Sequence, residues 1–360
     1  MKGRPPCSKS AERGRPCPPR GEHQGEKARN EAEEPSAKND DLATGHSGRS
    51  SGMALLITLL VMLILAVLVN RFAFATRVHL AAAANLRDQF QAECLALSGV
   101  ELAMALLEED DTPEVDHVGE PWALLREVSG EVLGLAEGAF AVMVQDESAK
   151  IDINRLVKED GSTTDEFIHR QLDRLLDIFG IPSDQRDALL DCLEDWLDDD
   201  DLQKLNGAEA AYYQGLENPY LPRNGPLRSL GELILVKGWR EVIDARLNEG
   251  PALLDLLTTG PTEGTINVNT ASPLVLMTLS AEIDESAAEQ VVTLREEAPL
   301  TGPQLLPPAF RKKAVQSHIR YNSNLFLVRA EGLFRRSVSR AVVLVKREEE
   351  EVTVLRRIIE

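Results

Sequence analysis

The feature that most constrains this chain is an uncharged run, MALLITLLVMLILAVLV, from Met53 to Val69, in which Thr58 is the sole polar side chain. At about 1.5 Å per residue a helix over this run covers roughly 26 Å, close to the thickness of a bilayer's hydrocarbon core. A cleavable secretory signal would have a shorter apolar core followed at once by a small-residue cleavage site. Here the pattern instead runs on as NRFAFATRVHLAAAANLRDQFQAECLALSGVELAMALLEED, with neither Pro nor Gly before Gly99. Leu86, Phe90, Cys94, Leu97 and Met104 fall on one helical face. The sequence therefore predicts one helix over 53–107, membrane-spanning over 53–69, with about 55 residues and a length of about 80 Å. Orientation is weakly encoded: Arg49 lies on one side of the run, Arg71 and Arg77 on the other.

Residues 1–52 are rich in Pro, Gly, Ser and charge and poor in apolar side chains. Such a stretch cannot bury enough surface to offset the entropy of ordering it, and it reads as a long cytoplasmic leader. The formal net charge of the chain is -20. That charge repels a phosphate backbone and argues against nucleic-acid partners, while suiting cations and divalent metals. Aromatic residues make up only 4 %, so aliphatic side chains must build most of the core. Cys7, Cys17, Cys94 and Cys192 form no CxxC pair. Cys94 and Cys192, beyond the leader, are read as buried free thiols, with pairing in an oxidising compartment as the alternative.

Further along, Phe140 to Asn154 alternates well enough for two strands with a polar turn at Asp146–Ser148, and Leu325 to Lys346 reads as a hairpin turning at Gly332–Arg336. Between them helices are predicted at Asp165–Phe179, with Ser183 as N-cap over Ser183–Trp196, and at Ser229–Val236, Ala252–Leu257, Pro273–Leu279 and Glu285–Glu296. The fold class is α+β: a long N-terminal helix packed on a small antiparallel sheet, with a large all-α insertion. The expected parts are a leader over 1–52, the helix over 53–107, a first sheet segment over 108–160, the inserted helical domain over 161–320, and C-terminal strands and tail over 321–360.

The acidic run Asp198-Asp199-Asp200-Asp201, with Asp195 and Glu209 nearby, is the sharpest charge feature. Together these residues offer the six or so hard oxygens that Ca²⁺ takes, but Leu202 and Gln203 break the EF-hand pattern. The residues alone suit a solvated acidic face equally well. No GxSxG, HExxH or P-loop occurs, and His79, His117, His169 and His318 are scattered, so an enzyme is not predicted. Trp196, Tyr212, Tyr213 and Tyr220 are expected to form a local core beside the acidic run.

Gly52–Met53, a Gly directly before the uninterrupted apolar helix, resembles the processing site of type IV pilins and pseudopilins. In that family a prepilin peptidase cuts after the Gly and methylates the new N-terminus, which here would be Met53. Most members carry Glu at the fifth mature position; here it is Ile57. That departure resembles the K-type minor pseudopilins of type II secretion, which have an apolar residue there and a large helical insertion. The ordered set Asp195-Trp196-Leu197-Asp198-Asp199-Asp200, Gly207-Ala208-Glu209, Tyr212-Tyr213, Asn218-Pro219-Tyr220, Asn224-Gly225-Pro226-Leu227 and Ser229-Leu230-Gly231-Glu232-Leu233 is similar to that family's signature, and Ile266-Asn267-Val268-Asn269-Thr270-Ala271 to its second helical motif.

The resemblance implies structural calcium in the insertion, for which Asp198, Asp200, Asp201 and Glu209 are the expected ligands. It implies a single-pass inner-membrane subunit with a periplasmic C-terminal domain at the tip of a filament. Its partners would be I- and J-type minor pseudopilins, the major pseudopilin, the prepilin peptidase and the inner-membrane assembly platform. The segment INVNTASPLVLMTLSAEIDESAAEQVVTLRE resembles a helix-hairpin-helix unit, of the SAM-like kind, but Glu282 and Asp284 stand where DNA-binding versions have glycines. Acidic side chains there repel phosphate, so the unit is expected to serve packing, not nucleic acid. The rival readings are a membrane-tethered DNA-uptake protein using this unit and a periplasmic metal-dependent hydrolase using the aspartates.

Overall fold

The computed structural model describes residues 50–128, 138–247, 250–348 and 351–360. The predicted leader, with Cys7 and Cys17, lies outside the described residues except for its last three positions. The chain forms two units, Met1–Arg71 and Phe72–Glu360.

Helix α1 runs from Ser50 to Glu108 without interruption. In the first unit its apolar side chains lie bare, Ile57 being 58% exposed. Among the described residues this is the one helix long and apolar enough to cross a membrane.

The second unit contains α2 (Pro121–Val128), β1 (Ala139–Asp146), β2 (Ile151–Asp152), α3 (Glu166–Ile178), α4 (Ser183–Leu197), α5 (Ala210–Gln214), β3 (Leu257–Thr258) and β4 (Ile266–Asn267). Then follow α6 (Pro273–Thr278), α7 (Glu285–Glu297), α8 (Lys313–Gln316), β5 (Ile319–Arg320), β6 (Leu325–Phe334), β7 (Ser337–Glu348) and β8 (Glu351–Ile359). The main sheet is antiparallel, in the order β1-β6-β7-β8. Asp146 at the end of β1 pairs in register with Phe326 at the start of β6, so the sheet is split in sequence by the helical segment between them.

Helix α1 meets the sheet mainly through small residues; of the predicted face, Leu97 and Met104 are half-buried and pack against the same core, while its other three members do not. Ala92, Ala96, Gly99, Val100, Ala103 and Leu107 are buried, whereas Leu86 is 73% and Phe90 59% exposed, and Cys94 is exposed. The reason is distance. A Cβ at Gly332 of β6 would stand 2.0 Å from the Ala92 carbonyl oxygen and 2.5 Å from the Ala96 nitrogen, and one at Gly99 would stand 2.7 Å from Val142. Backbones that come so close leave no room for large side chains, so size sorts the helix face more strongly than hydrophobicity does.

Other sequence expectations are corrected in detail. The β6–β7 turn sits at Arg335–Arg336, with Arg335 at φ 55°, and Gly332 lies inside a strand. Ser183 is the first residue of α4; Pro182 is the N-cap and no side chain caps that end. Asp165, by contrast, does cap α3, its carboxylate accepting from the amides of Phe167 and Ile168. The helices expected at Ser229–Val236 and Ala252–Leu257 are short 3₁₀ turns, Leu230–Leu235 and Leu253–Leu256. The two strands expected in 140–154 exist, but β2 pairs in parallel with β3, not with β1. The INVNTA motif opens on strand β4 and a turn, not on a helix.

A buried polar hub joins the sheet to the helical segment. Asn267, fully buried, donates from Nδ2 to the Asp116 carbonyl at 3.1 Å and to Ser323 Oγ at 2.8 Å. Asp146 accepts from Thr270 Oγ1 at 2.5 Å, from the Ser148 amide at 2.8 Å and from Ser323 Oγ. Asn269 spans the Leu300 amide, the Leu300 carbonyl and the Tyr321 carbonyl at 2.8, 3.0 and 3.2 Å. Each buried polar atom so matched avoids the cost of lost hydration, which is why asparagines can occupy this core.

Candidate metal-binding loop and processing site

The acidic loop begins where α4 ends. Asp198 is the C-cap and its amide still donates to the Glu194 carbonyl at 2.9 Å, which turns the next residues away from the helix axis. The Asp199 amide donates to the Gly161 carbonyl at 2.8 Å, and the Asp200 carboxylate closes a turn on the Leu202 amide at 2.7 Å. Asn224, in the left-handed region at φ 47°, reaches across to the Asp200 carbonyl at 3.1 Å. The loop backbone is therefore tied down at several points, as expected for a strand of chain that must hold adjacent like charges together.

The four predicted ligands fall into different environments. Asp198 and Glu209 are buried, Asp200 is half-buried and Asp201 is exposed. Asp198 Oδ1 and both Glu209 carboxylate oxygens are buried without a hydrogen-bond partner. Burial pushes the Asp198 carboxyl up to about 7, reinforced by the charges of Asp200, Asp195 and Glu209. Burial, then the charge of Asp195, pushes Glu209 up to about 7, with Asp201 and Asp200 adding to it. Asp195 is fully buried and is served by the Lys204 amide at 3.0 Å. It packs so close to Gly207 that a Cβ there would lie 1.9 Å from its carboxylate, which explains the glycine of the GAE motif.

The aromatic cluster beside the loop holds it from below. Tyr213 is fully buried and lies edge-on to Trp196, with ring centres 5.2 Å apart, and Tyr220 packs on Tyr213 at 5.3 Å. Tyr212 is on the surface, under the Lys237 ammonium at 4.9 Å. Arg223, just before the Asn224–Leu227 motif, and Glu232 form a bidentate pair at 2.8 and 3.0 Å. Cys192 is a buried free thiol donating to the Asn206 carbonyl at 3.3 Å, and burial pushes it up to about 11.

The segment read as a helix-hairpin-helix carries acidic side chains between α6 and α7. The Asp284 carboxylate caps α7 through the Ala287 amide at 2.8 Å, and Glu282 pairs with Lys312. Arg174 of α3 occupies hairpin carbonyls of Met277 and Ile283 at 2.6 and 3.1 Å. The positive end of α7 is thus already neutralised from within.

Gly52 and Met53, the expected processing pair, stand in the first turns of α1, Met53 exposed. A bare apolar helix long enough to cross a membrane, an antiparallel sheet laid on its later turns, and a helical segment inserted into that sheet together define a pilin-like subunit. Comparison with known proteins refines this. Residues 149–250 and 266–304 match family models described as type II secretion system protein K. The type II secretion system protein K of Pseudomonas aeruginosa is 33% identical, over 68% of this chain and 72% of its own length. That of Klebsiella pneumoniae is 29% identical, over 69% of this chain and 76% of its own. The chain belongs to the type II secretion system protein K family, the K-type minor pseudopilins, which are structural components of the secretion machinery. Its fold is that of a chain in the crystal structure of the GspK-GspI-GspJ complex of enterotoxigenic Escherichia coli, at a TM-score of 0.56 and 21% identity, covering 79% of this chain and 99% of that one.

Proposed function

We propose that this minor pseudopilin sits at the tip of the type II secretion pseudopilus, where it helps to start the filament and caps it. The observation that carries the reading is Ile57, an exposed apolar side chain on the uncharged stretch of α1 where ordinary members have Glu. A carboxylate in hydrocarbon costs several kcal/mol unless paired. In a filament its partner is the N-terminal ammonium of the subunit ahead. A subunit with nothing ahead of it has no such partner and does better without the charge. The complex in which the structural neighbour was crystallised supports I- and J-type minor pseudopilins as partners here. The major pseudopilin, the assembly platform and the prepilin peptidase complete the set. The peptidase would cut between Gly52 and Met53 and leave the segment after the membrane span in the periplasm.

The same reading takes residues 161–320 as a SAM-like inserted domain whose hairpin serves packing. It also includes a structural calcium ion. The buried oxygens of Asp198 and Glu209 without a hydrogen-bond partner, in the field of Asp200 and Asp195, are hard donors of the kind such a cation takes. Asp198, Asp200 and Glu209 would hold the ion, with Asp201 at the exposed rim. Calcium there would supply charge compensation and fix the loop against the aromatic cluster.

Pseudopili labelled with antibody to the segment between β1 and β6 test the tip assignment. Label at one end is expected, and label along the shaft would refute it. Intact mass of the same material is expected to give a chain beginning at N-methylated Met53.

A further inference from the structure

A second acidic cluster lies in the loop that follows α1, away from the acidic run. Asp110, Asp116 and Glu120 each bring one carboxylate oxygen within 4.8 Å of the others. Asp116 is fully buried and Glu120 is 5% exposed. Arg347 of β7 serves the first two: its guanidinium donates to Asp110 Oδ2 at 2.7 Å and to Asp116 Oδ1 and Oδ2 at 2.7 and 2.5 Å. Glu120 is left over. Its Oε2 accepts from the indole N–H of Trp122, and its Oε1 is buried with no hydrogen-bond partner. His117 Nε2 stands 3.7 Å from that oxygen.

The charges do not close. Three carboxylates face one guanidinium, which leaves a formal charge of about -2 in a site where uncompensated charge is costly. Burial foremost, with Asp116 and Asp110 adding, pushes the Glu120 carboxyl up to about 7. A proton on Glu120 would remove half of the excess; one divalent cation removes all of it. The donors are hard oxygens without a thiol, and their irregular arrangement suits an ion that tolerates variable geometry. Asp110 is half-buried.

We propose that Glu120 Oε1, with oxygens of Asp110 and Asp116 shared with Arg347, holds a divalent cation of the calcium class. The ion would tie the end of α1 to α2 and to β7, in the sheet-bearing part of the chain and independently of the Asp198 loop.

Trp122 supplies the probe. Its ring is bonded to the ligand, so it should sensitise a bound lanthanide, as Trp196 should at the other loop. The full chain in detergent, stripped of metal and titrated with Tb³⁺ under tryptophan excitation, is expected to show emission that Ca²⁺ competes away. Trp122→Phe should abolish the component that the double variant Asp198→Asn, Glu209→Gln retains, and it should keep the rise in melting temperature that Ca²⁺ brings. Glu120→Gln should lose both the component and that share of the rise. The proposal is overturned if Trp122→Phe emits like the parent, or if the Asp198/Glu209 double variant binds no Tb³⁺. It is also overturned if Glu120→Gln raises the melting temperature equally with and without Ca²⁺, which would mean that the site carries a proton. Should Glu120→Gln not fold, the Trp122→Phe arm decides alone.

Discussion

The close approach of α1 to the sheet makes a sharp prediction at Gly332. An alanine there would drive its Cβ to 2.0 Å from the Ala92 carbonyl oxygen and 2.5 Å from the Ala96 nitrogen, where ordinary contacts begin near 3.4 Å. Both obstacles are helix backbone, which cannot rotate aside as a side chain can. Helix and strand must therefore separate by about 1 Å, and a gap of that size forfeits up to about half of the dispersion energy along the seam. Overpacking of this kind costs about 1–3 kcal/mol, and a backbone obstacle places Gly332→Ala at the upper end. A loss of about 3 kcal/mol corresponds to roughly a hundredfold rise in local opening. Hydrogen exchange read by mass spectrometry over β6 and β7 should show it. Gly231→Ala, whose nearest neighbour would be a serine hydroxyl at 3.6 Å, should leave exchange within about 0.5 kcal/mol of the parent. Unchanged protection of β6 and β7 in Gly332→Ala would refute the account of why small residues line this face.

Two further outcomes follow from charge. In metal-free protein Asp198 and Glu209, with folded values raised to about 7, favour the protonated fold. Their contribution is full below the usual carboxylate range and is lost as pH rises through about 7. Melting temperature should therefore fall between pH 5.5 and 8, and Ca²⁺ should abolish much of that fall. Asp198→Asn with Glu209→Gln should flatten it without Ca²⁺, and a slope identical to the parent's would count against the loop as a charge trap. Arg347→Met should cost about 3–5 kcal/mol in thermal or urea unfolding, because it strands the buried Asp116 carboxylate and the half-buried Asp110. Burial holds Asp116 up at about 6 even with Arg347 present.

What the sequence makes legible is what depends on local pattern. The uncharged run of Met53–Val69 predicts the exposed helix, the alternation in Leu325–Phe334 predicts a strand with buried and exposed sides, and Asp165 announces a helix start. What stays hidden depends on partners far away in the chain. Leu86 and Phe90 outrank Ala92 and Ala96 on any hydrophobicity scale, yet the alanines are the buried ones, because the obstacle that selects them is Gly332. Asn267 and Asn269 look like loop residues until their acceptors from three other segments are in place. The strand Glu351–Ile359 carries no clean alternation, since nearly all its side chains are exposed. At the candidate site the acidic run was visible, but its sorting into buried Asp198 and exposed Asp201 was not. The second acidic cluster needs Arg347, 237 positions beyond Asp110, to become recognisable at all.

The register pairing of Asp146 with Phe326 has a consequence for how such a chain can change over time. The segment that leaves the sheet at one position returns beside it, so the two ends of the excursion are already neighbours. Lengthening what lies between them costs only about 0.6 kcal/mol of closure entropy per doubling. The stalk can thus carry a head of almost any bulk without retuning its own strands. The junction itself is riveted, since Thr270 and Asn267 from within the excursion are bonded to Asp146. A graft that swaps one head for another should succeed when it keeps that rivet and fail when it cuts between Asp146 and its two partners.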